Sequence, residues 1–321
     1  MKNITIFVLF LIFTLSLQAD SNKKLAYLVS DMSIPFWQIM SKGIVKASEK
    51  NGYTVKIYNA KNSAKQELIN TVEALKSKID GLIISPTSSS SSATILKLAE
   101  KANIPVVISD IGTDSGEYVS FISSNNKQGA YDIGRVLAEK MNSLGWDKDG
   151  TVGIIAIPQK RLNGQQRTAG FMKAMDEANI DGAGIKQQID FSYQETYNYT
   201  KELINENKNL RAIWLQGSDK YEGALDAIKD SGKSGEILLI CFDAEPVFLE
   251  LIPKDVIVGA AMQQPYLMGK KSVEVMLNHL ENKTVNKNIE LEVLAVSGKN
   301  IKELLPVIKK NVLGLEAESE Q

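Results

Sequence analysis

The stretch of sequence that decides the fold is residues 81–110, GLIISPTSSSSSATILKLAEKANIPVVISD. It begins with a short apolar run, Gly81–Ile84, that Ser85-Pro86 brings to a stop. Apolar residues then recur at helical spacing from about Ala93 to Ala102, and a second apolar run covers Val106–Ile108. An apolar strand, an amphipathic helix and another apolar strand in this order indicate a βαβ unit with parallel strands.

The same alternation extends on both sides of this stretch. In the first half, strands are predicted at Leu25–Val29 and Thr54–Tyr58, each followed by a helix. The second half repeats the pattern, with strands predicted at Thr151–Ile157, Ile185–Ile189, Ala212–Leu215 and Ile237–Phe242. Each half is therefore predicted to be one doubly wound α/β domain, in which a parallel sheet carries helices on both faces.

The amino terminus has the pattern of a secretory signal peptide. Lys2 is positively charged, Ile4–Leu17 is almost continuously apolar, and Ala19 is a small residue suited to cleavage. A membrane anchor is the alternative, but this apolar run is shorter than the ~20 residues that a spanning helix needs. No Cys follows it for lipid attachment. We predict a signal peptide over residues 1–19 and export of a soluble protein, to the periplasm in a bacterium with two membranes.

Composition argues against several classes of function. The chain has 37 Lys and Arg against 38 Asp and Glu, so its charge gives no reason to expect binding to nucleic acid or to an anionic membrane. Its single Cys, Cys241, lies in an apolar strand and is interpreted as a buried apolar residue, with a reactive thiol as the alternative. His279 is the single His. We therefore predict no metal, no cofactor and no enzyme, although paired carboxylates leave acid–base catalysis open.

Polar and aromatic residues collect just after the predicted strands. Ligands of doubly wound proteins bind beyond the carboxyl ends of the parallel strands. Carboxylates, amides and an Arg at such an edge can bond many hydroxyls, while aromatic faces cover the apolar side of a sugar ring. For any one residue, a helix cap or a core position is the alternative. The residues in question are Ser30, Asp31, Phe36, Trp37, Ser85, Asp110, Ser124, Asn125, Asn126, Arg167, Phe191, Gln216, Asp243, Gln263 and Gln264.

Six segments together carry a family resemblance. They are YLVSDMSIPFW (27–37), DGLIISPT (80–87), NIPVVISDIGTDSGEYVSFISSNN (103–126), GQQRTAGF (164–171), CFDAEP (241–246) and QQPYLMGKKSVE (263–274). The chain resembles the periplasmic sugar-binding proteins of the ribose-binding type, relatives of the ligand-binding domains of LacI repressors. The resemblance implies two doubly wound parallel-sheet lobes joined by a three-segment hinge, with the ligand cleft between them. It places the crossings near Asn125, Gln263 and Glu292.

The resemblance also implies lobe boundaries and site residues. The amino-terminal lobe is expected to cover 20–124 plus 264–292, and the carboxyl-terminal lobe 125–263 plus 293–313. An additional helix is expected at Ile301–Leu313, before an acidic tail at 314–321. The family's ligand-binding roles fall on Ser30, Phe36, Trp37, Ser85, Asp110, Ser124, Arg167, Phe191, Asp243 and Gln263.

Three departures from the ribose-binding pattern bear on the ligand. Ile34, Ile111 and Gly217 stand where ribose binders carry polar side chains. Each lost hydrogen bond to a buried hydroxyl costs on the order of 1–3 kcal/mol. We therefore predict that ribose is not the main ligand, and that a less hydroxylated sugar, a bulkier sugar or a furanose signal fits better.

The function predicted from these observations is capture of a small polar ligand by closure about a hinge. A membrane partner would read the closed shape. That partner is an ABC permease if the protein serves transport, and a sensor kinase if it is a signal receptor. A periplasmic enzyme and a DNA-binding repressor are the other classes considered, but no helix-turn-helix segment precedes Leu25. The protein is expected to be a monomer.

Overall fold

The structure is a computed structural model and describes residues 23–315. The predicted signal peptide lies outside the described residues, as does the acidic tail beyond Leu315. In chain order the elements are β1 Lys24–Val29, α1 Pro35–Lys50, β2 Thr54–Asn59, α2 Ala64–Lys76, β3 Gly81–Ser85, α3 Ser89–Lys101, β4 Val106–Ser109, β5 Ser120–Ser124, α4 Asn126–Ser143, β6 Thr151–Ala156, α5 Leu162–Glu177, β7 Asp181–Gln187, α6 Tyr193–Glu206, β8 Leu210–Leu215, α7 Tyr221–Asp230, β9 Leu238–Phe242, α8 Phe248–Leu251, β10 Gly259–Met262, α9 Pro265–Leu280, β11 Asn288–Leu291, β12 Leu294–Ser297 and α10 Ile301–Val307, followed by a π-helical turn at Ile308–Val312.

These strands form two six-stranded sheets. The first has the order β11-β5-β4-β3-β1-β2 and is parallel throughout. The second has the order β12-β10-β9-β8-β6-β7 and is parallel except for β12, which runs antiparallel to β10. Helices connect most consecutive parallel strands, whereas a loop joins β4 to β5. The predicted fold class, with two doubly wound lobes, is confirmed.

Three connections carry the chain from one sheet to the other. The first leaves β5 at Ser124, the second leaves β10 at Met262, and the third joins β11 to β12 between Leu291 and Leu294. Between the second and third connections, α9 packs against α1 of the first lobe. The hinge therefore has the three segments that the family resemblance implied, while the residue boundaries assigned to the lobes stay a prediction.

Each sheet has a hydrophobic core on both faces, because side chains alternate along its strands. In β1, Leu25 and Tyr27 join one buried cluster, while Ala26 and Leu28 join the cluster on the opposite face. The second sheet is packed in the same way between two further clusters. Complete burial of one such Leu stabilises a fold by about 1.5–3 kcal/mol.

The segment after β12 bridges the two lobes beside the hinge. Ile308 and Val312 are buried in the core of the second lobe. On the other side, Lys42 Nζ of α1 donates to the carbonyl of Gly314 at 2.6 Å, and Asn311 Nδ2 donates to Gln264 Oε1 at 2.9 Å. The single helix predicted at Ile301–Leu313 is instead α10 and a π-helical turn; Pro306 lies inside α10, where it lacks the N–H that an α-helix would use.

Close packing of α4 against α5 depends on a glycine. A Cβ on Gly170 would overlap the backbone of α4 at Lys127 and Tyr131. We expect Gly170→Ala to lower the free energy of unfolding by about 1–3 kcal/mol, because backbone atoms cannot rotate away as a side chain can. Urea denaturation measures this loss. Gly182→Ala is the control, since its Cβ would meet only the end of Met172 at 3.8 Å; equal stability of the two variants would contradict the expectation.

Candidate ligand-binding cleft

A cavity of about 50 Å³ lies between the lobes, where the carboxyl ends of strands from both sheets meet. The first lobe contributes residues that follow β1 and β4, and the second contributes residues that follow β6, β7, β8 and β9. The lining consists of Ile34, Phe36, Trp37 and Asp110 from the first lobe; Ile157, Arg161, Asn163, Arg167, Phe191, Gln216, Gly217, Asp219 and Asp243 from the second; and Gln263 at the second crossing.

The lobes touch each other across this cavity. Arg161 Nη2 donates to Asn62 Oδ1 at 3.3 Å, and Asn163 Nδ2 donates to Asp110 Oδ2 at 3.5 Å. Both distances are at the long end for a hydrogen bond, so each contact is weak. The structure therefore shows the lobes closed on one another through contacts that cost little to break.

Asp110 and Asp243 occupy equivalent places in the two lobes. Each follows a strand, β4 and β9 respectively, and each adopts the left-handed conformation with φ of 69° and 68°. The backbone N–H of Asp110 donates to Ile122 at 2.9 Å, and that of Asp243 donates to Ala261 at 2.8 Å. This turn ends the strand and directs both carboxylates toward the same cavity. Asp tolerates such a conformation better than most residues, so its use here at two places is consistent with a role for the side chain.

Arg167 is the best-anchored charged group of the cavity. It lies on α5 and is 3% exposed. Its Nε donates to Asn126 Oδ1 at 2.8 Å, and its Nη1 donates to the carbonyl of Gln216 at 2.6 Å and lies 3.5 Å from Asp243 Oδ2. The guanidinium also stacks over the ring of Phe242 at 3.8 Å. A planar, permanently charged group held on several sides is pre-organised to bind hydroxyl oxygens.

Gln263 links the hinge to the cavity. It is 1% exposed and directly follows β10, and its Nε2 donates to Asp243 Oδ1 at 2.6 Å. Movement at this crossing would therefore be transmitted to the Asp243 carboxylate.

Aromatic residues supply the apolar part of the lining. Pro35 at the first turn begins α1, and Phe36 and Trp37 follow it with their rings 4.8 Å apart in an edge-to-face arrangement. From the second lobe, Phe191 has a left-handed backbone, and its N–H donates to Glu195 Oε2 at 2.9 Å. All three line the cavity. Aromatic faces in this position suit the apolar face of a sugar ring.

Several buried polar atoms at the cavity are unsatisfied. Among residues 23–315, Asp110 Oδ1, Gln263 Oε1 and Arg161 Nε have no hydrogen-bond partner. Buried polar atoms are usually paired, and leaving one unpaired costs about 1–3 kcal/mol. Two acceptors and one donor at one cavity can be satisfied together by a ligand with hydroxyl groups, which donate and accept.

Burial shifts the acidity of the cavity carboxyls. It raises the pKa of Asp110 to about 6, with Arg167 opposing the shift and Asp243 adding to it. Burial also raises the pKa of Asp243, opposed by Arg167 and by the hydrogen bond from Gln263. Carboxylates that are short of hydrogen bonds are strong acceptors for ligand hydroxyls.

The structure brings together seven of the ten residues predicted to bind the ligand. Ser30, Ser85 and Ser124 are buried at the ends of their strands but do not line the cavity. The hydroxyl of Ser85 lies 2.9 Å from that of Tyr27 within the first lobe, and the Ser124 hydroxyl has no partner among the described residues.

Sequence reasoning missed three polar residues of the lining. Arg161 directly precedes α5, Asn163 lies in the first turn of α5, and Asp219 lies before α7. All three follow parallel strands, so the strand-end rule, that ligands bind beyond the carboxyl ends of such strands, applies to them. They were missed because they stand several residues beyond the strand rather than directly after it.

The three apolar positions that depart from the ribose-binding pattern differ in their surroundings. Ile34 and Gly217 line the cavity, whereas Ile111 is buried in the core of the first lobe. Asn163 and Asp219 supply polar groups from other positions. The cavity is thus polar, but its polar groups are distributed differently.

Residues 23–315 contain no group of three or more His, Cys, Asp or Glu side chains arranged to hold a metal ion. In the same range no helix is long and apolar enough to cross a membrane. Cys241 is buried in β9, and burial raises the pKa of its thiol, as its interpretation as an apolar residue requires.

Two α/β lobes that close on a polar cavity lined from both sides define a two-lobed binding protein. Residues 25–284 match the family model described as a periplasmic binding protein domain. The chain belongs to this family of periplasmic binding proteins, and to its ribose-binding type.

Its relatives include transport proteins from several bacteria. The ribose import binding protein of Bacillus subtilis is 28% identical over 263 residues, which cover 81% of this chain and 83% of that protein. A carbohydrate transporter solute binding protein from Agrobacterium radiobacter, solved with D-arabinose, has a TM-score of 0.83 at 22% identity, covering 91% of this chain and 99% of that one. A solute binding protein from Actinobacillus succinogenes, solved with D-allose, has a TM-score of 0.80 at 21% identity, covering 88% and 99%. The two solved structures establish likeness of fold.

Proposed function

We propose that this protein is an exported solute-binding protein that captures a sugar or related polyol and delivers it to an ABC-type permease. The observation that carries the proposal is the set of unsatisfied polar atoms, Asp110 Oδ1, Gln263 Oε1 and Arg161 Nε, at a cavity that also has aromatic walls. A polyhydroxylated ring satisfies both features. Transport is favoured over presentation to a sensor kinase because the curated relatives are named as import proteins.

The proposed mechanism is ligand-stabilised closure. Without ligand, the lobes are held together across the cleft by the weak contacts of Arg161 and Asn163. A ligand that bonds to Asp110 of the first lobe and to Asp243 or Arg167 of the second adds contacts that exist only in the closed form. Such a ligand shifts the population toward closure, and the permease recognises the closed form.

The site residues are proposed to have distinct roles. Phe36, Trp37 and Phe191 cover the ring of the ligand, while Asp110, Asp243 and Arg167 bond its hydroxyls. Gln263 contacts the ligand and couples the site to the hinge, because it lies at the second crossing. Ser30, Ser85 and Ser124 would act indirectly, by supporting strand ends behind this layer.

A thermal-shift screen of the purified protein tests the proposal. The panel contains pentoses, hexoses, deoxysugars, polyols and furanose signals, with nucleosides and amino acids as negative controls. A ligand specific for the folded state adds about 2.7 kcal/mol of stability at a hundredfold excess over its dissociation constant. We expect a clear shift with at least one sugar or polyol and a weaker one with ribose. A shift with ribose alone would contradict the argument from Ile34, Ile111 and Gly217, and recovery of a chemically altered sugar would reveal an enzyme.

Asp243→Ala and Trp37→Ala test the cleft assignment with whichever sugar binds. We expect each to weaken binding by about ten- to hundredfold, since charge-assisted hydrogen bonds and desolvated aromatic contacts are each worth about 1.5–3 kcal/mol. Isothermal titration calorimetry measures the loss. Asp149→Ala is the control, because Asp149 is exposed and outside the cleft. Unchanged affinity in both cleft variants would place the ligand elsewhere.

A further inference from the structure

A second pocket adjoins the ligand cavity at the mouth of the cleft. Its volume is about 260 Å³, and both lobes line it: Asn62 and Thr87 from the first lobe, and Lys160 and Arg161 among others from the second. Arg161 and Phe191 line both the inner cavity and this outer pocket, so the two spaces adjoin at these side chains. A ligand that extends from the inner cavity past these side chains would reach the outer pocket.

Arg161 is an incompletely satisfied cation at the boundary. It is 9% exposed, its Nη2 donates to Asn62 Oδ1 at 3.3 Å, and its guanidinium lies 5.6 Å from the centre of the Phe191 ring. Its Nε has no hydrogen-bond partner, and within residues 23–315 no carboxylate lies at ion-pair distance from its guanidinium, although Asp110 and Glu67 attract it from farther away. Arg167, by contrast, lies 3.5 Å from the carboxylate of Asp243. Buried charges are ordinarily paired, because an unpaired one forfeits its hydration.

The charges of the two spaces differ in sign. The inner cavity has three carboxylates, Asp110, Asp219 and Asp243, against two arginines. The outer pocket is lined by Lys160 and Arg161, and no Asp or Glu is among its lining residues. Within the described chain, Lys160 also has no ion-pair partner. Glu67 lies nearby, but it accepts from the N–H and hydroxyl of Thr87 at 2.7 and 2.9 Å.

We propose that the ligand is an acidic sugar, with its hydroxylated ring in the inner cavity and a carboxylate or phosphate group in the outer pocket against Arg161. This inference rests on the proposed function. Arg161 would donate its Nε–H and a terminal N–H side by side to two oxygens of the anion, the geometry that guanidinium groups favour. Lys160 would add a charge from the rim of the pocket. The anionic group, rather than the ring, would then supply the selectivity against neutral sugars.

Matched sets of probes test this proposal by calorimetry at low ionic strength. The first set is D-glucose, D-glucuronate and D-glucose 6-phosphate. The second is D-galactose with its uronate and its 6-phosphate, and the third is D-ribose with D-ribose 5-phosphate. We expect the acidic member of at least one set to bind about ten- to hundredfold more tightly than its neutral counterpart, as for a charge-assisted pair. The carboxylate and phosphate arms distinguish the two sources of the anion.

Arg161→Gln tests whether this residue causes the preference. The readout is the ratio of the two dissociation constants within a set, which cancels any general weakening of the site. We expect the ratio to fall to near unity in Arg161→Gln and to be unchanged in Arg135→Gln, which removes an exposed Arg on α4. Neutral sugars that bind as tightly as their acids, with a ratio insensitive to Arg161→Gln, would overturn this inference and leave the proposed function standing. No binding by any member of the sets, together with a shift from another sugar or polyol of the thermal-shift panel, would overturn this inference alone; no binding in either experiment would overturn both.

Discussion

Replacing Arg167 is expected to reduce both stability and ligand affinity more than any other single change in the cleft. Arg167→Met keeps the apolar packing over Phe242 but removes the charge opposite Asp243 and the donors to Asn126 and Gln216. Breaking a buried pair on one side costs about 3–5 kcal/mol, because the remaining charge and acceptors stay buried without partners. A loss of about 4 kcal/mol in ligand binding corresponds to about a thousandfold weaker affinity.

Arg167→Lys keeps this prediction testable if the Met variant does not fold. Lysine retains the positive charge but replaces the fixed planar donors with a single flexible ammonium group. We expect Arg167→Lys to lose less stability and less ligand affinity than Arg167→Met. Urea denaturation measures the stability, and calorimetry with the sugar identified in the screen measures the affinity. Arg135→Met is the control and should change stability by no more than about 0.5 kcal/mol, as an exposed substitution does. Equal stability of Arg135→Met and Arg167→Met would show that the contacts of Arg167 contribute little to the free energy of unfolding.

The central strands of both sheets could be predicted from sequence because they are buried on both faces. Such strands are continuous apolar runs, as in Gly81–Ser85 and Leu238–Phe242. The short edge strands β11 and β12 could not. β11 and β12 have four residues each and no long apolar run, and their pairing joins segments far apart in the chain.

The edge strand β7 was predicted with the wrong bounds. It was expected at Ile185–Ile189, but it covers Asp181–Gln187. Its first half contains Gly182 and Gly184, which strands usually avoid, and most of the strand is exposed. It pairs with β6 alone, and the register shifts beside Gly153. An edge strand that buries little leaves only a weak hydrophobic pattern in the sequence.

The site was predictable as far as the strand-end rule identifies the right edge of each sheet. Asp110 and Asp243 follow their strands directly and line the cavity, but Ser85 follows β3 just as directly and turns toward Tyr27 instead. Sequence position alone does not separate these cases, because the direction of a side chain depends on the turn that ends its strand. Asp110 and Asp243 adopt the left-handed backbone conformation, which no local sequence pattern predicted.

Acidification is expected to stabilise the ligand-free protein, opposite to the usual behaviour of carboxylates. Burial raises the pKa of Asp110 to about 6 and that of Glu245 to about 7, and it also raises the pKa values of Asp243 and Glu67. Each group binds its proton more tightly in the folded than in the unfolded chain. The cost of ionising them is therefore present in full only above about pH 8 and is relieved as the pH falls toward 5.

The expected gain is about 3 kcal/mol between pH 7.5 and pH 5, since a shift of one pKa unit is worth about 1.4 kcal/mol and partial solvent access reduces the sum. Urea denaturation across this range measures it. Asp110→Asn should flatten the profile around pH 6, and Glu245→Gln should flatten its upper part near pH 7. The exposed substitution Asp149→Asn should leave the profile unchanged. Stability that falls steadily from pH 7.5 to pH 5 would contradict the assignment of these carboxyls as buried groups that are costly to ionise.

The same substitutions separate stability from function. At pH 7.5 Asp110→Asn removes a buried charge, so we expect it to be more stable than the native protein by about 1–2 kcal/mol while losing affinity for the ligand. Glu245→Gln should also gain stability but retain binding, because Glu245 bonds to Ser218 and does not line the cavity. A protein that keeps an ionised carboxylate in a buried, underbonded place loses stability when empty. Ligand hydroxyls that donate to Asp110 would offset this loss, but only in the closed form with ligand bound. The electrostatics of the cleft would in this way favour its closure around a ligand.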